Sequence, residues 1–221
     1  MQLIQPKVEL LAENSSYHDL VRKVEIGARI CYKSQTGSLY MAEKLIAKCI
    51  SRGHESVLEH GAISIAFTTD RGVSHEAVRH RLTVFDDYFV GRSNETIFPA
   101  ISQESTRYVK YSGDMEFVEP YWYKDATDLQ RDDYVLLMLS SEETYKTLIE
   151  SGLPPQAARA VLPNALATRW VMTANIREWR TIFKLRCAKD AHPDMRKIML
   201  IALKECKNAY PVFFIGIEVI S

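Results

Sequence analysis

The feature that most constrains the fold is a strand pattern followed directly by a helical pattern, and it occurs twice. The segment "AISIAFTT" alternates and is rich in β-branched and aromatic residues, which predicts a strand over Ile63–Thr69. After a short turn, Val73–Arg81 is predicted to be helical. The segment "ALATRWVMTA" again favours a strand, and "NIREWRTIFKLRCA" after it has the apolar spacing of an amphipathic helix. Strands and helices are therefore expected to mix along the chain.

The rest of the chain adds a further strand and several helices. A strand is predicted over 7–12, and helices are predicted over 16–34, 41–52, about 129–151 and 193–210. No internal repeat, low-complexity segment or Ser/Gly linker separates these elements. We therefore expect an α+β fold in which residues 1–221 form a single domain.

Length and composition narrow the class of protein. A chain of 221 residues with 47% hydrophobic content can bury one substantial core. Its apolar runs are far shorter than the roughly 20 residues that cross a bilayer, and its first residues lack the pattern of a secretion signal. The four cysteines show neither a CxxC pair nor metal-ligand spacing, which indicates reduced thiols. We expect a cytoplasmic protein with no membrane partner and no metal.

The charge balance argues for a local anion site. The 28 basic and 28 acidic side chains cancel, which is unfavourable for a protein that grips nucleic acid over its whole surface. The alternative hypothesis is a nucleic-acid-binding module that uses local basic patches at 71–81, 177–186 and 196–197, although these carry no motif that reads DNA or RNA. A zinc hydrolase is not expected, because the histidines of "HESVLEH" are six residues apart rather than four.

The triplet Arg79, His80 and Arg81 runs directly into apolar residues. On a helix consecutive side chains point about 100° apart, so the three cannot all hold one phosphate and must meet different partners. A large ligand with several acceptor groups satisfies this arrangement, and a solvated basic face is the alternative. The later segment "SQESTRY" combines hydroxyl, amide and guanidinium groups, a mixture that holds phosphate through charge-assisted hydrogen bonds.

Several segments, taken in order, resemble the flavin-dependent thymidylate synthases. They are "GHESVLEH" at 53–60, "VSHEAVRHR" at 73–81, "SQESTRYVKYS" at 102–112, "ARAVLPNALATRW" at 158–170 and "NIREWRTIFKLR" at 175–186. The signature of that family is Arg-His-Arg, seven residues, then Ser, continuing to an Arg-Tyr pair. The resemblance extends from about Ala28 to Tyr210, so it is far more specific than a single short motif.

The resemblance implies a fold and an activity. The family fold is a twisted β-sheet flanked by helices, assembled as a homotetramer whose sites draw on several subunits. The implied reaction is reductive methylation of dUMP to dTMP, with 5,10-methylenetetrahydrofolate as carbon donor, FAD as redox cofactor and NADPH as reductant. No protein side chain attacks the pyrimidine, and no cysteine here has a convincing His-paired nucleophile setting. Cys187, beside Arg186, is the thiol whose neighbour favours a lowered pKa.

The resemblance also implies roles for individual residues. Those expected to contact FAD are His54, Ser56, Arg79, His80, Arg81, Gln103, Asn175, Arg177, Thr181 and His192. Those expected to contact dUMP are Glu76, Arg79, Gln103, Glu104, Ser105, Thr106, Arg107, Arg169 and Arg186, with Ser105, Arg107 and Arg169 on its phosphate. Departures from the family pattern are Glu76 in place of Gln, Gln103 in place of the Glu of some members, and Thr181 in place of Asn or His.

Arg186 is the residue expected to carry the chemistry. A guanidinium held against the N3 and oxygen edge of uracil favours the ionised ring, and an electron-rich ring accepts a one-carbon unit at C5 more readily. A cation within about 4–6 Å lowers an acid's pKa by roughly 1–3 units. Arginine suits the task because it stays protonated. The alternative is an arginine that caps carbonyls at the C-terminus of its helix.

The family signature is interrupted by an insertion. Residues 82–104, 23 positions, separate Arg81 from Ser105, so about 16 extra residues lie at about 84–99. The entropy of loop closure grows only with the logarithm of loop length, so the insertion is compatible with an intact site. Its many aromatic residues lead us to expect packing on a neighbouring subunit or over the mouth of the pocket. A self-packed surface loop is the alternative.

Overall fold

The computed structural model describes residues 1–12, 14–81 and 99–218, and these combine helices with strands. The strands are β1 (Gln2–Ile4), β2 (Lys7–Leu10), β3 (Ala62–Asp70), β4 (Ala100–Gln103), β5 (Glu116–Val118) and β6 (Ala167–Asn175). The helices are α1 (Tyr17–Tyr32), α2 (Leu39–Ser51), α3 (Arg71–Ala77), α4 (Asp128–Glu150), α5 (Pro155–Ala158), α6 (Ile176–Arg186) and α7 (Pro193–Ala209). Short 3₁₀ segments cover Glu55–His60, Val78–Arg81, Tyr123–Asp125, Arg159–Val161 and Pro211–Phe214.

The predicted strands and helices are confirmed, with small shifts at their ends. The strand predicted over Ile63–Thr69 is β3, and the helix predicted after it is α3 followed by the 3₁₀ segment Val78–Arg81. The strand predicted from "ALATRWVMTA" and the helix predicted from "NIREWRTIFKLRCA" are β6 and α6. The prediction of a mixed helix and sheet fold is therefore confirmed. The insertion at about 84–99 falls almost wholly outside the described residues, so its predicted packing stays a prediction.

The short strands β1, β4 and β5 were not predicted from the sequence. β1 pairs in parallel with β5, with Gln2 opposite Glu116 and Ile4 opposite Val118. Each strand has only a few residues, and its partner lies far away in the sequence, so the local pattern does not indicate the pairing. The strands β2, β3, β6 and β4 form a second sheet in that order.

The contacts divide the chain into two compact units. The first unit comprises Met1–Lys7, Phe67–Ala77 and Ser102–Trp170, and the second comprises Val8–Ala66, Val78–Ile101 and Val171–Ser221. The prediction of a single domain is not tested by this division and stays a prediction. Within the described residues, no helix is long and apolar enough to cross a membrane.

The core of the first unit gathers around α4. Met138 and Tyr145 of this helix pack with Met115, Phe117 and Leu166, and all of these side chains are buried. At the N-terminus of α4 a capping box satisfies backbone donors that would otherwise lack partners. The buried side chains fix α4 against the segments that lead to β5 and β6.

The core of the second unit is built by the apolar faces of α1, α2, α6 and α7. Leu20, Ile46, Phe183 and Ile198 are fully buried representatives of these four helices. The indole N–H of buried Trp179 donates to the carbonyl of Ile63 at 2.9 Å, which ties α6 to β3 inside this unit. α6 is thereby anchored, and it carries several of the side chains predicted to form the site.

Candidate functional site

A hydrogen bond between two predicted site residues of the second unit joins α6 to the 3₁₀ segment Val78–Arg81. Nε of Arg186 donates to Nε2 of His80 at 2.8 Å. His80 is only 3% exposed, and burial, followed by the charge of Arg186, lowers the pKa of His80 to about 4. The imidazole is therefore neutral at physiological pH, with Nε2 as an acceptor and the proton on Nδ1. It orients the guanidinium instead of repelling it.

Two residues of the triplet differ in burial, and the prediction that its three side chains meet different partners stays a prediction. Arg79 is exposed, whereas His80, the next residue, is buried. The backbone of Arg81 is described but its side chain lies outside the described part of the structure. Arg79 thus presents its charge to solvent while His80 supports Arg186 from inside the unit.

Arg177, predicted to contact the flavin, lies in the first turn of α6 and forms a salt bridge. Its Nη1 lies 2.6 Å from Oε1 of Glu59, and both side chains are about half exposed. Exposed pairs of this kind contribute little to stability, about 0–1 kcal/mol. The pair therefore leaves Arg177 at the surface, beside the segment that carries His54 and Ser56.

His54 and Ser56 flank Glu55, and Glu55 is the anchor of this segment. The side chains of His54 and Ser56 are exposed, whereas Oε1 of Glu55 accepts from Arg180 Nη2 at 3.1 Å. Arg180 is 2% exposed and also donates from Nη1 to the carbonyls of Phe213 and Ile215, at 2.7 and 3.0 Å. One buried guanidinium thus joins α6, the His54–Ser56 segment and the segment after α7.

Other predicted flavin contacts hold the ends of helices. Oδ1 of Asn175 accepts from the backbone N–H of Glu178 at 2.8 Å, which caps α6. Nδ1 of His192 accepts from the N–H of Asp194 at 3.3 Å, which caps α7. The hydroxyl of Thr181 donates to the carbonyl of Arg177 at 3.3 Å and the side chain is exposed. These local roles are compatible with a ligand contact and do not test it.

The predicted dUMP loop, residues 103–107, lies in the first unit and is fixed at its start by Gln103. Nε2 of Gln103 donates to Oγ of Ser74 at 2.8 Å and to Oγ1 of Thr168 at 3.2 Å. Ser74 on α3 and Thr168 on β6 are both 1% exposed. The amide of Gln103 therefore binds the loop to buried hydroxyls on both sides.

The next residue, Glu104, is held by an arginine and a tyrosine. Nη2 of Arg71 donates to the carbonyl of Glu104 at 3.0 Å, and the hydroxyl of Tyr111 donates to Oε1 of Glu104 at 2.5 Å. Burial, and next the hydrogen bond to Glu104, raise the pKa of the Tyr111 hydroxyl well above its usual range, so it remains a donor. Glu76, also predicted to meet dUMP, is half-buried on α3.

The tip of the loop presents donors suited to phosphate. Ser105 is half-buried and Arg107 is exposed, and the N–H of Arg107 donates to the hydroxyl of Ser105 at 3.3 Å. Nη1 of Arg159 donates to Oγ1 of Thr106 at 3.3 Å. The side chain of Arg169 is exposed on β6, and its carbonyl accepts from the N–H of Glu104 at 2.9 Å. Arg107 therefore belongs to this loop, and the guanidinium groups of Arg71 and Arg159 contact it.

Arg159 and Arg180 are the site residues that the sequence analysis did not single out. Arg159 lies within "ARAVLPNALATRW", a segment quoted for the resemblance. Its place in that segment is the sequence signal that could have identified it. Arg180 is a cation among buried neighbours on α6, including Trp179 and Ile182. A charged residue on the apolar face of an amphipathic helix is a sign of a buried ion pair.

The cysteines play no visible part in the chemistry. All four are free, and Cys187, whose neighbour Arg186 favoured a lowered pKa, is buried. Burial instead raises the pKa of the Cys187 thiol to about 11, so the expectation of a lowered pKa was wrong. In the described ranges, no group of three or more His, Cys, Asp or Glu side chains is arranged to hold a metal ion.

Comparison with known proteins shows the family. The chain belongs to the Thy1 family, described as thymidylate synthase complementing proteins, whose family model matches residues 13–212. A flavin-dependent thymidylate synthase from Geobacter sulfurreducens is 33% identical over 201 residues, 86% of this chain and 79% of the relative. Proteins of the same name from Mycobacteroides abscessus and Mycobacterium avium are 31% identical over 204 residues and 30% identical over 218 residues. The M. abscessus alignment covers 86% of this chain and 77% of the relative, and the M. avium alignment covers 89% and 79%. The resemblance stated from the sequence is confirmed.

Proposed function

We propose that this protein is a flavin-dependent thymidylate synthase that converts dUMP to dTMP. In this reaction 5,10-methylenetetrahydrofolate donates the carbon, and NADPH is the reductant. The proposal rests on membership of the Thy1 family and on relatives that carry this name. The family membership favours it over the nucleic-acid-binding alternative.

Within the structure, the observation that supports the proposed chemistry is the hydrogen bond from Arg186 to neutral His80, 2.8 Å long. Because His80 accepts the Nε–H, the guanidinium plane is fixed by the protein before substrate arrives. Because the imidazole is uncharged, the positive charge of Arg186 meets no like charge from this partner. Placed against the N3 and oxygen edge of uracil, that charge favours the ionised ring and raises the nucleophilicity of C5.

The phosphate of dUMP is assigned to the tip of the 103–107 loop. The hydroxyl of Ser105 and the guanidinium of Arg107 supply charge-assisted hydrogen bonds. Arg159, through its contact with Thr106, is added to the phosphate contacts alongside Arg169. Gln103, Glu104 and Thr106 complete the loop, and Glu76 is proposed on the uracil side. Ser105 acts as a ligand and not as a nucleophile.

The residues proposed to hold FAD form a fitting donor set. The cofactor presents a pyrophosphate and a polar ring edge, and Arg79 and Arg177 bring exposed guanidinium groups to the second unit. His54, Ser56, Thr181 and His192 add exposed polar side chains, with His80, Arg81, Gln103 and Asn175 as the further proposed contacts. When bound, FAD passes the reducing equivalents of NADPH to the one-carbon unit. The side chains of this protein bind and orient the reactants.

We also propose a twisted sheet flanked by helices, a homotetramer with shared sites, and a cytoplasmic location. Exposed leucines on α4 support the assembly, since Leu136 and Leu137 are 66% and 60% exposed in one chain. Apolar side chains exposed in a row are typical of surfaces buried in obligate oligomers. The four free cysteines support a reducing compartment.

The test is a turnover assay with product analysis. Purified protein is incubated with dUMP, methylenetetrahydrofolate and NADPH, and dTMP is measured by chromatography. We expect a yellow protein with flavin absorbance, and dTMP only when all three reactants are present. Retention of oligonucleotides that weakens with salt, without formation of dTMP, would instead establish the binding module.

A further inference from the structure

The second unit contains a basic pocket. Of the residues that line it, only His54 has a role assigned above. The cavity has a volume of about 150 Å³, far more than the roughly 15 Å³ that one water molecule needs. It is lined by Ser34, Leu45, Lys48, Cys49, Arg52 and His54. The lining therefore combines four polar groups, a hydroxyl, an ammonium, a guanidinium and an imidazole, with the side chains of Leu45 and Cys49.

The geometry of α2 explains why these side chains converge. Leu45, Lys48, Cys49 and Arg52 follow one another at helical spacing, so they form one stripe along the end of the helix. Gly53 then adopts φ +74°, which a side chain would disfavour. This turn lets the N–H of His54 donate to the carbonyl of Cys49 at 2.8 Å and brings residue 54 back to the pocket.

The charge of the pocket is not balanced by the protein. No acidic residue lines it, and within the described part of the chain neither Lys48 nor Arg52 forms a salt bridge. Cations near the C-terminus of a helix interact favourably with its dipole, which accounts for their presence on α2. The dipole does not account for a cavity between them or for the approach of Ser34 and His54.

The charges of Lys48 and Arg52 also act on the thiol of Cys49, which lines the pocket. Burial, and next the interaction with Cys31, raise the pKa of Cys49, whereas the charges of Lys48 and Arg52 act in the opposite direction. Both cations therefore lie close enough to Cys49 to act on its thiol.

We propose that this pocket binds an anionic group, a phosphate or a carboxylate, at the end of a co-substrate of the proposed reaction. The inference rests on the proposed function for the identity of that co-substrate. His54 belongs both to the pocket and to the segment proposed to border the flavin, which connects the pocket to the reaction. Of the co-substrates, NADPH carries a 2′-phosphate and reduced folates carry glutamate carboxylates. Either group matches an ammonium, a guanidinium and a hydroxyl.

The direct test measures binding without turnover. The double variant Lys48→Gln with Arg52→Gln keeps the side-chain stems and removes both charges. Lys44→Gln is the matched control, because Lys44 lies one turn earlier on α2, outside the pocket, with its Nζ 4.4 Å from the ring centroid of Tyr40. Calorimetric titration uses adenosine 2′,5′-bisphosphate in one arm and tetrahydrofolate triglutamate in the other. We expect one of the two ligands to bind the double variant at least about tenfold more weakly, while the control binds like the wild type.

The kinetic arm identifies the source of the anion. If the pocket holds the 2′-phosphate, the double variant loses its preference for NADPH over NADH. If it holds glutamate carboxylates, the variant loses its preference for triglutamate over monoglutamate folate. Unchanged preferences and unchanged binding in both arms would overturn the inference, as would loss of FAD from the double variant with intact co-substrate binding. Failure of the wild type to form dTMP would overturn the proposed function, whereas the calorimetric arm would still decide whether the pocket binds anions.

Discussion

At the scale of single residues, the contact between His80 and Arg186 joins a neutral imidazole to a permanent cation. The two groups lie 2.8 Å apart, and burial keeps the imidazole neutral, so the contact is a hydrogen bond and not a repulsion. A fixed guanidinium serves a charged transition state better than a mobile one, because its orientation costs nothing at the moment of reaction. The proposed mechanism therefore depends on the shape of the arginine head as well as on its charge.

Replacing Arg186 by lysine tests this dependence. The change Arg186→Lys keeps a positive charge but removes the planar donor set that His80 orients. We expect flavin to remain bound, as followed by its absorbance, while kcat falls about 100-fold or more. Lys184→Arg, at an exposed position of the same helix, should turn over like the wild type. A wild-type kcat for Arg186→Lys would remove Arg186 from the mechanism.

The lowered pKa of His80 predicts a pH-dependent stability. In the unfolded chain the imidazole takes up a proton near its ordinary pKa of 6.5, whereas the folded chain does so only near about 4. Between these values the unfolded state binds more protons, so the free energy of unfolding falls as the pH is lowered. Integration gives a loss of about 2 kcal/mol between about pH 7.5 and about pH 5.

Urea unfolding of the wild type and of His80→Gln at these two pH values measures that loss. The glutamine oxygen still accepts from Arg186 but does not titrate. The variant should therefore lose about 2 kcal/mol less than the wild type on acidification. Equal losses in the two proteins would show that His80 does not stay neutral in the fold.

At the scale of elements, α6 is held in place by a buried polar contact and by close packing. Arg180 donates to Glu55 and to the carbonyls of Phe213 and Ile215. Gly61 packs against Ile176, the first residue of α6, and its carbonyl accepts the N–H of Ile176 at 2.9 Å. These contacts determine where Arg177 and Arg186 lie relative to the His54–Ser56 segment.

The change Arg180→Met tests the buried contact. Methionine fills part of the same volume but leaves Glu55 and the two carbonyls without their donor, so we expect a loss of about 3 kcal/mol in the free energy of unfolding. Lys184→Met is the control, since Lys184 is 51% exposed and lies 3.8 Å from the same carboxylate. The control should lose less than about 1 kcal/mol. Chemical denaturation measures both, and equal effects would refute the role of Arg180.

The change Gly61→Ala tests the close packing. A Cβ at residue 61 would lie 2.5 Å from Cδ1 of Ile176, which is fully buried and cannot move aside freely. We expect a loss of about 1–3 kcal/mol from overpacking. Gly113→Ala is the matched control, because a Cβ there has no neighbour within 4 Å. Thermal unfolding compares the two variants, and a lowered midpoint is expected for Gly61→Ala alone.

At the scale of the whole molecule, the proposed homotetramer is supported by exposed leucines of α4. Leu129, Leu136, Leu137 and Leu139 are 70, 66, 60 and 47% exposed. Full burial of an exposed leucine side chain is worth about 1.5–3 kcal/mol, and these partly buried side chains would gain a part of that in an interface. Burial of these leucines against a partner surface is what the proposed homotetramer would supply.

The double change Leu136→Glu with Leu139→Glu tests the proposed homotetramer. Burying two carboxylates in an apolar interface is costly, so the variant should form smaller species in light scattering coupled to size exclusion. Glu150→Gln, at the exposed end of α4, should retain the mass of the wild type. A tetramer of unchanged mass in the leucine variant would exclude this face of α4 from the interface.

Much of the element order was predictable, because periodicity and capping are local. The apolar spacing of α1 and α6 and the β-branched run of β3 are each contained in consecutive residues. The family was recognisable for a related reason, since motifs such as "VSHEAVRHR" and "SQESTRY" are continuous in the sequence. The candidate site residues of α6 and of the 103–107 loop lie in such continuous motifs, so the sequence predicts them.

The sequence by itself determined the longer helices and strands and the short motifs that they carry, but not the short strands β1, β4 and β5. The tertiary structure alone decided that His80 is buried and neutral, that Arg180 holds Glu55, that Arg159 contacts Thr106 and that β1 pairs with β5. The physical reason is that secondary structure follows from neighbouring side chains and backbone preferences. Burial, pKa shifts and hydrogen-bond partners instead depend on which remote segments the folded chain brings together.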